Sequence, residues 1–197
     1  MVSTGGFHML KGRTHQLVGV SLFGALGFIL MFLAFPVLPA FSYLKVDFSD
    51  LPILVSFLLY GPVGGIFSAM IKTLLHYLST GGDMGYPIGD LASFLASISY
   101  CIPAYYLLRK AKTKSGMILA FLIGTISLTV VLSIANWYII TPLYLKILNF
   151  SVGDLRAYIV AGVVPFNVLK GAIISTVFLI AFPKLKPWLV RQGKLTT

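Results

Sequence analysis

A chain of 197 residues that is 58% hydrophobic and 10% charged, with a mean hydropathy of +0.95, is not an ordinary soluble domain, in which about a quarter of the residues are charged. Its net charge of +10 would suggest a nucleic-acid surface in a soluble protein, but in so apolar a chain it fits loops lying against anionic lipid, and no nucleic-acid partner is expected. The lone Cys101 rules out a disulfide framework; with no phosphate-binding loop, no metal-ligand spacing and no nucleophile beside a base, neither an enzyme nor a self-contained ATPase is expected.

In chain order, the first apolar run covers 16–36 behind Lys11 and Arg13. It is long enough to cross a ~30 Å hydrocarbon layer. No small-residue cleavage pattern follows it, so it reads as a retained span and not a removed leader. The next run, 51–79, is interrupted by Gly61 and Pro62 and reads as two helices. The first of these has ten residues, ~15 Å of rise, and cannot cross a bilayer unaided. The preceding segment, 36–49, must therefore fold back partly toward the bundle, and a short or broken helix of this kind often marks a solute site. Further spans cover 88–108, 116–145 and 155–182.

Charge decides how these runs are threaded. With six spans, Lys11 and Arg13 share one side with Arg109, Lys110, Lys112 and Lys114 and with Lys184, Lys186, Arg191 and Lys194, ten of the fifteen basic residues. Basic short loops favour the cytoplasm. The expected architecture is an all-α membrane protein: one domain over 1–197, six transmembrane helices with a short second one, and both termini cytoplasmic.

The chain has no glutamate, and its five aspartates all fall in segments assigned outside by this threading: Asp47, Asp50, Asp83, Asp90 and Asp154. Asp50, Asp90 and Asp154 each precede an apolar run, as N-caps of the second, fourth and sixth helices would. Lys170 is then the anomaly. It sits in mid-span, where a lysine costs about 2.5–3.5 kcal/mol to insert. With every acid placed in or beside an outer loop, it is expected to be met by carbonyl-type acceptors, water or a bound solute.

Asn167 lies one turn earlier on the same face, and Asn136 at a comparable depth in the fifth span. Two amides and an ammonium, flanked by aromatics such as Trp137 and Tyr138, suit a flat, largely apolar ligand with carbonyl and imide edges. The plain alternative is a hydrogen bond between the two asparagines with Lys170 snorkelling. Lys72 and His76 form an i, i+4 pair to which no role is assigned, while Tyr43 and Tyr86 stand in loops able to cover a site, with Gly85 and Gly89 as hinges or plain turn residues. Small residues four apart, at Ser21 and Ala25, Gly61 and Gly65, and Ala92 and Ala96, allow close packing within the bundle or against another membrane subunit.

The stretches LKVDFSDLP at 44–52, YGPVGG at 60–65 and IKTLLHY at 71–77, with Asn136 and NVLK at 167–170, carry a resemblance over essentially the whole chain. It resembles the riboflavin-specific substrate-binding (S) components of energy-coupling factor transporters. That resemblance implies a membrane-embedded vitamin binder without its own motor. Riboflavin would be its cargo and no cofactor is implied; its partners would be a transmembrane coupling subunit and two cytoplasmic ATPases. Asn136, Asn167 and Lys170 would bond the polar edge of the ring, backbone near Leu44, Lys45 and Asp47 would contribute, and Tyr43 and Tyr86 would cover the site. Docking on the coupling subunit would use Ser21 and Ala25, a variant of the usual alanine pair. Cationic thiamine fits poorly without a buried acid. FMN, another vitamin and a stand-alone solute carrier are the alternatives.

Overall fold

In the computed structural model, which describes residues 5–111, 113–148 and 151–191, every long element is a helix; Lys112 and Lys194 of the basic clusters lie outside the described residues. The helices are α1 (Gly5–Met31), α2 (Asp50–Thr80), α3 (Ile88–Leu108), α4 (Lys114–Ala135), α5 (Thr141–Ile147), α6 (Leu155–Tyr158) and α7 (Val164–Arg191). Two π-helical segments, Asn136–Ile140 and Ile159–Val163, join α4 to α5 and α6 to α7. Among the described residues this gives five helical stretches long and apolar enough to cross a membrane.

The second stretch is not straight. Gly61 has φ 78° and ψ −176°, a conformation open to glycine and strained for other residues, and Pro62 follows it. The chain doubles back there. Ser56 and Ser68 hydrogen-bond through their hydroxyls at 2.7 Å, and Lys72 reaches Ser49 at 2.9 Å. In a straight helix residues 49 and 72 would stand ~34 Å apart. The arms 50–60 and 62–80 therefore form an antiparallel hairpin, closed on glycine: Gly65 lies against the ring of Phe57 and Gly64 against Tyr60 and Val20.

On α1, Gly19, Gly24 and Gly27 meet Tyr60, Ile71 and Lys72, which brings α1 close against the hairpin. The opposite face of α1 exposes Val18, Ser21, Leu22 and Ile29, with Ala25 half-buried. α3 packs on α4 where Gly124 meets Tyr100, and α4 runs antiparallel to α7 through Phe121 with Phe178 and Gly171 with Thr125. This threading brings the turn at Gly61, the α3–α4 connection and the far end of α7 to one end of the bundle. The opposite end carries the loops 32–49 and 81–87.

The long loop is ordered by a two-residue ladder, β1 (Phe35–Pro36) against β2 (Lys45–Val46), and by a 3₁₀ turn at Pro39–Phe41. The shorter loop begins at the left-handed cap Gly81, whose N–H bonds the Tyr77 carbonyl at 2.8 Å.

Prolines account for the π segments. Each segment ends two residues before a proline, Pro142 or Pro165. A proline in a helix interior lacks an N–H and its ring crowds the carbonyl four residues back. Widening the preceding turn removes that conflict, and the N–H groups of Thr141 and Val164 reach the carbonyls of Asn136 and Ile159.

Of the three aspartates expected to cap helices, only Asp154 does so, accepting from the N–H groups of Arg156 and Ala157. Asp50 and Asp90 lie inside the first turns of α2 and α3, and their carboxylates point to cations instead. The polar demand of neighbouring helices outweighs the local cap.

Candidate functional site

Between the two loops and the α4–α7 half lies a cavity of about 730 Å³. This is within the ~300–1,000 Å³ typical of small-molecule sites. The long loop contributes Tyr43, Leu44, Lys45 and Asp47; α4 and the first π segment contribute Leu132, Asn136 and Ile140; and α7 contributes Phe166, Asn167 and Lys170. His76, Asp83, Asp90 and Tyr144 line the part nearest the short loop.

Of the residues singled out from the sequence, Asn136, Asn167, Lys170, Tyr43, Leu44, Lys45 and Asp47 thus meet at one cavity. Tyr86 is not on its wall: it is exposed, and its backbone pairs with that of Asp83. Trp137 and Tyr138 also point away, 39% and 72% exposed, because the widened π turn places Asn136 inward and the next two residues outward. The aromatic walls are supplied by Phe32, Tyr43, Tyr144, Tyr158 and Phe166. Tyr43 and Tyr158 pack with Phe41 in one cluster, with centroids 5.8–6.2 Å apart. Burial pushes the Tyr43 hydroxyl above its ordinary pKa, so it faces the cavity as a neutral donor and acceptor.

The two asparagines do not bond each other. Each donates from its side-chain amide to the carbonyl one turn back, Asn136 to Leu132 at 2.8 Å and Asn167 to Val163 at 2.9 Å, and Thr141 donates to the Asn136 carbonyl oxygen at 3.2 Å. An amide carries two N–H donors, so each side chain keeps one for another partner.

Lys170 departs from expectation most. Its ammonium lies 3.3 Å from Asp50 Oδ2 and 4.0 Å from Asp47 Oδ2, so it is met by acids after all. The loop 32–49 folds inward and the first arm of α2 is short, which lowers both carboxylates to the depth of Lys170. Lys72, given no role from the sequence, completes the group. It is wholly buried and reaches Asp50 Oδ1 at 3.3 Å, Ser49 at 2.9 Å and Ser97 at 2.6 Å. Ser97 also donates to Asp50 Oδ1, and the Ser49 N–H donates to Asp47. Two carboxylates and two ammoniums thus form a buried quartet with no net charge, tied to four parts of the chain. The chain's balance of buried lysines against nearby aspartates was the available signal.

A second pair sits nearer the short loop. His76 Nδ1 lies 2.6 Å from Asp90 Oδ1, and the Phe32 ring stands 5.6 Å from the imidazole. Beside it, Asp83 Oδ2 accepts from Tyr144 at 2.7 Å and from the Gly89 N–H at 2.8 Å. Gly89 is thus the first turn of α3 and not a hinge, while Gly85 has a left-handed φ of 92° in the loop. No cluster of potential metal ligands occurs among the described residues. What the cavity offers is recognition: an aromatic enclosure with amide, ammonium and carboxylate groups at fixed places.

Comparison with known proteins places this architecture. The sequence model of the family described as "ECF transporter, substrate-specific component" matches residues 15–182. The chain is 38% identical over 183 residues to "Riboflavin transporter FmnP" of Bacillus subtilis, covering 91% of this chain and 96% of the relative. It is 39% identical over 181 residues to "Riboflavin transporter RibU" of Staphylococcus aureus, covering 91% and 94%. Its backbone matches a solved chain described as "Structure and mechanism of the S component of a bacterial ECF transporter" with a TM-score of 0.74, at 36% identity over 90% of this chain and 98% of that one.

Proposed function

The chain belongs to the family of substrate-specific components of ECF transporters, and from that premise we propose that it binds riboflavin in the membrane and delivers it to an ATP-driven importer. It is a multi-pass protein of a prokaryotic plasma membrane and not an enzyme. The observation that carries the reading of the site is the convergence of Asn136, Asn167 and Lys170 on one wall of an aromatic-lined cavity. Riboflavin is neutral: its ring system presents carbonyls to an ammonium, an imide to an amide, and two flat faces to aromatic side chains.

The electrostatics favour a neutral cargo. The quartet, of which only Asp47 and Lys170 reach the cavity wall, carries no net charge, and the rest of the wall sets Asp83 and Asp90 against His76 and Lys45. A phosphorylated flavin would have to place its dianion in the same enclosure.

The finer assignments belong to the same proposal. The whole chain, 1–197, forms one domain with six spans and both termini cytoplasmic. The fold-back at Gly61 supports six spans, since each arm then counts as a crossing element, and the basic clusters support the orientation. Tyr43, Leu44, Lys45 and Asp47 cover the cargo from the outer side. Ser21 and Ala25, on the outward face of α1, meet a transmembrane coupling subunit that works with two cytoplasmic ATPases.

Fluorescence titration of the purified apo protein tests the cargo. Riboflavin should be quenched stoichiometrically and FMN should bind more weakly; riboflavin fluorescence unchanged at saturating protein would end the assignment. Uptake by vesicles holding this chain alone, without any ATPase, would argue against the division of labour.

A further inference from the structure

The two oxygens of Asp50 serve different partners. Oδ1 takes Lys72 and Ser97. Oδ2 is buried and makes no hydrogen bond, and the group it meets is the Lys170 ammonium at 3.3 Å. Asp50 is itself fully buried and is not on the cavity wall, whereas Lys170 is. The carboxylate therefore reaches the cavity only through Lys170.

A lysine side chain is a point charge on a flexible four-carbon stem, and its direction is set by what holds the charge. Asp47 is 4.0 Å away on the loop, while Asp50 is closer and is clamped by α2 and α3. We infer that Asp50 is a positioning residue for cargo: it fixes the Lys170 ammonium so that a remaining N–H faces the cavity, while Lys72 and Ser97 hold Asp50 in place. The inference rests on the reading of Lys170 as a cargo donor and adds a residue that does not touch the cargo. In a purely structural role, Asp50 would only neutralise Lys72, and cargo affinity would not depend on it.

The test is riboflavin titration of detergent-purified protein, with melting temperature measured alongside. Asp50→Asn alone leaves two buried lysines against Asp47 and is a poor folder by design. The decisive variant pairs Asp50→Asn with Lys72→Met, which leaves Lys170 and Asp47 balanced. Its binding should be roughly tenfold weaker or worse. Adding Lys170→Ala to it should cost much less than Lys170→Ala costs in the parent, the non-additivity of groups acting in series. If the pair does not fold, Ser97→Ala reports the same coupling, with binding expected roughly threefold weaker. Parent-like affinity in the folded pair, or in Ser97→Ala where the pair is lost, overturns the inference, as does an additive loss. If Lys170→Ala itself binds like the parent, the reading of the cargo site fails instead, and the inference fails with it.

Discussion

The half of the molecule built from α1, the α2 hairpin and α3 differs in kind from the half built from α4 to α7. In the first, glycines let helices touch: Gly19 and Gly24 on α1, and Gly64 and Gly65 in the hairpin, each meet a neighbouring side chain closer than a Cβ could stand, and Gly27 lies tightly against Lys72. Its lysine, Lys72, is fully buried and held by three oxygens. In the second half the helices are distorted before Pro142 and Pro165, and the amides of Asn136 and Asn167 and the ammonium of Lys170 border an open volume. The first half encloses its lysine, though His76 and Asp90 at its outer end also reach the cavity, while the second half brings its lysine and both amides to the cavity wall. The same residue type, lysine, is enclosed on all sides in one and borders the cavity in the other.

The strongest way to break that contrast is to remove Lys72. Lys72→Met leaves Asp50 with one of its two cationic partners and should destabilise the fold by about 3–5 kcal/mol, the scale for breaking a buried ion pair. Thermal unfolding in detergent would register it, and an unchanged midpoint would mean that the first half is not held by its charges. Gly65→Val comes next. An added Cβ would overlap the Phe57 ring, so the hairpin must open, at roughly 1–3 kcal/mol or more. In the other half, Lys170→Ala should lower riboflavin affinity by about 1.5–3 kcal/mol, the worth of a hydrogen bond to a charged group, and shift stability less than Lys72→Met does. Replacing Asn136 or Asn167 by Ala should cost about 0.5–1.5 kcal/mol of binding, read by the same titration. The smallest effect sharpens the comparison from outside both halves: Asp154→Ala removes a helix cap worth ~1 kcal/mol of stability and should leave affinity untouched.

Much of this was legible before any coordinates. Hydropathy located the long helices, and Gly61 with Pro62 marked the fold-back, because glycine and proline punctuate a helix for steric reasons that need no tertiary context. The cavity residues were legible where a polar group interrupts an apolar run, as at Asn136, Asn167 and Lys170. What failed was depth. Counting along the chain put Asp47 and Asp50 in an outer loop, yet an inward-folded loop and a short arm set them beside Lys170. Sequence position measures distance from a helix end, not distance from water. The same error hid Lys72: a buried cation on a helix demands an acid, and only the hairpin shows that the acid lies twenty-two residues back. The π segments were missed although their prolines were in plain view, since a widened turn and a kink are equally good answers to a proline.

The doubling back at Gly61 also constrains the order in which this protein can be made. Asp50 leaves the ribosome twenty-two residues before its first counter-ion, Lys72, and Lys170 follows far later. A carboxylate on an arm too short to cross alone has no cation to meet until Lys72 on the second arm pairs with it, which favours entry of the two arms as one unit. Lys170 is the last of the four charged groups to arrive, and it joins a bundle that already holds Asp47 and Asp50.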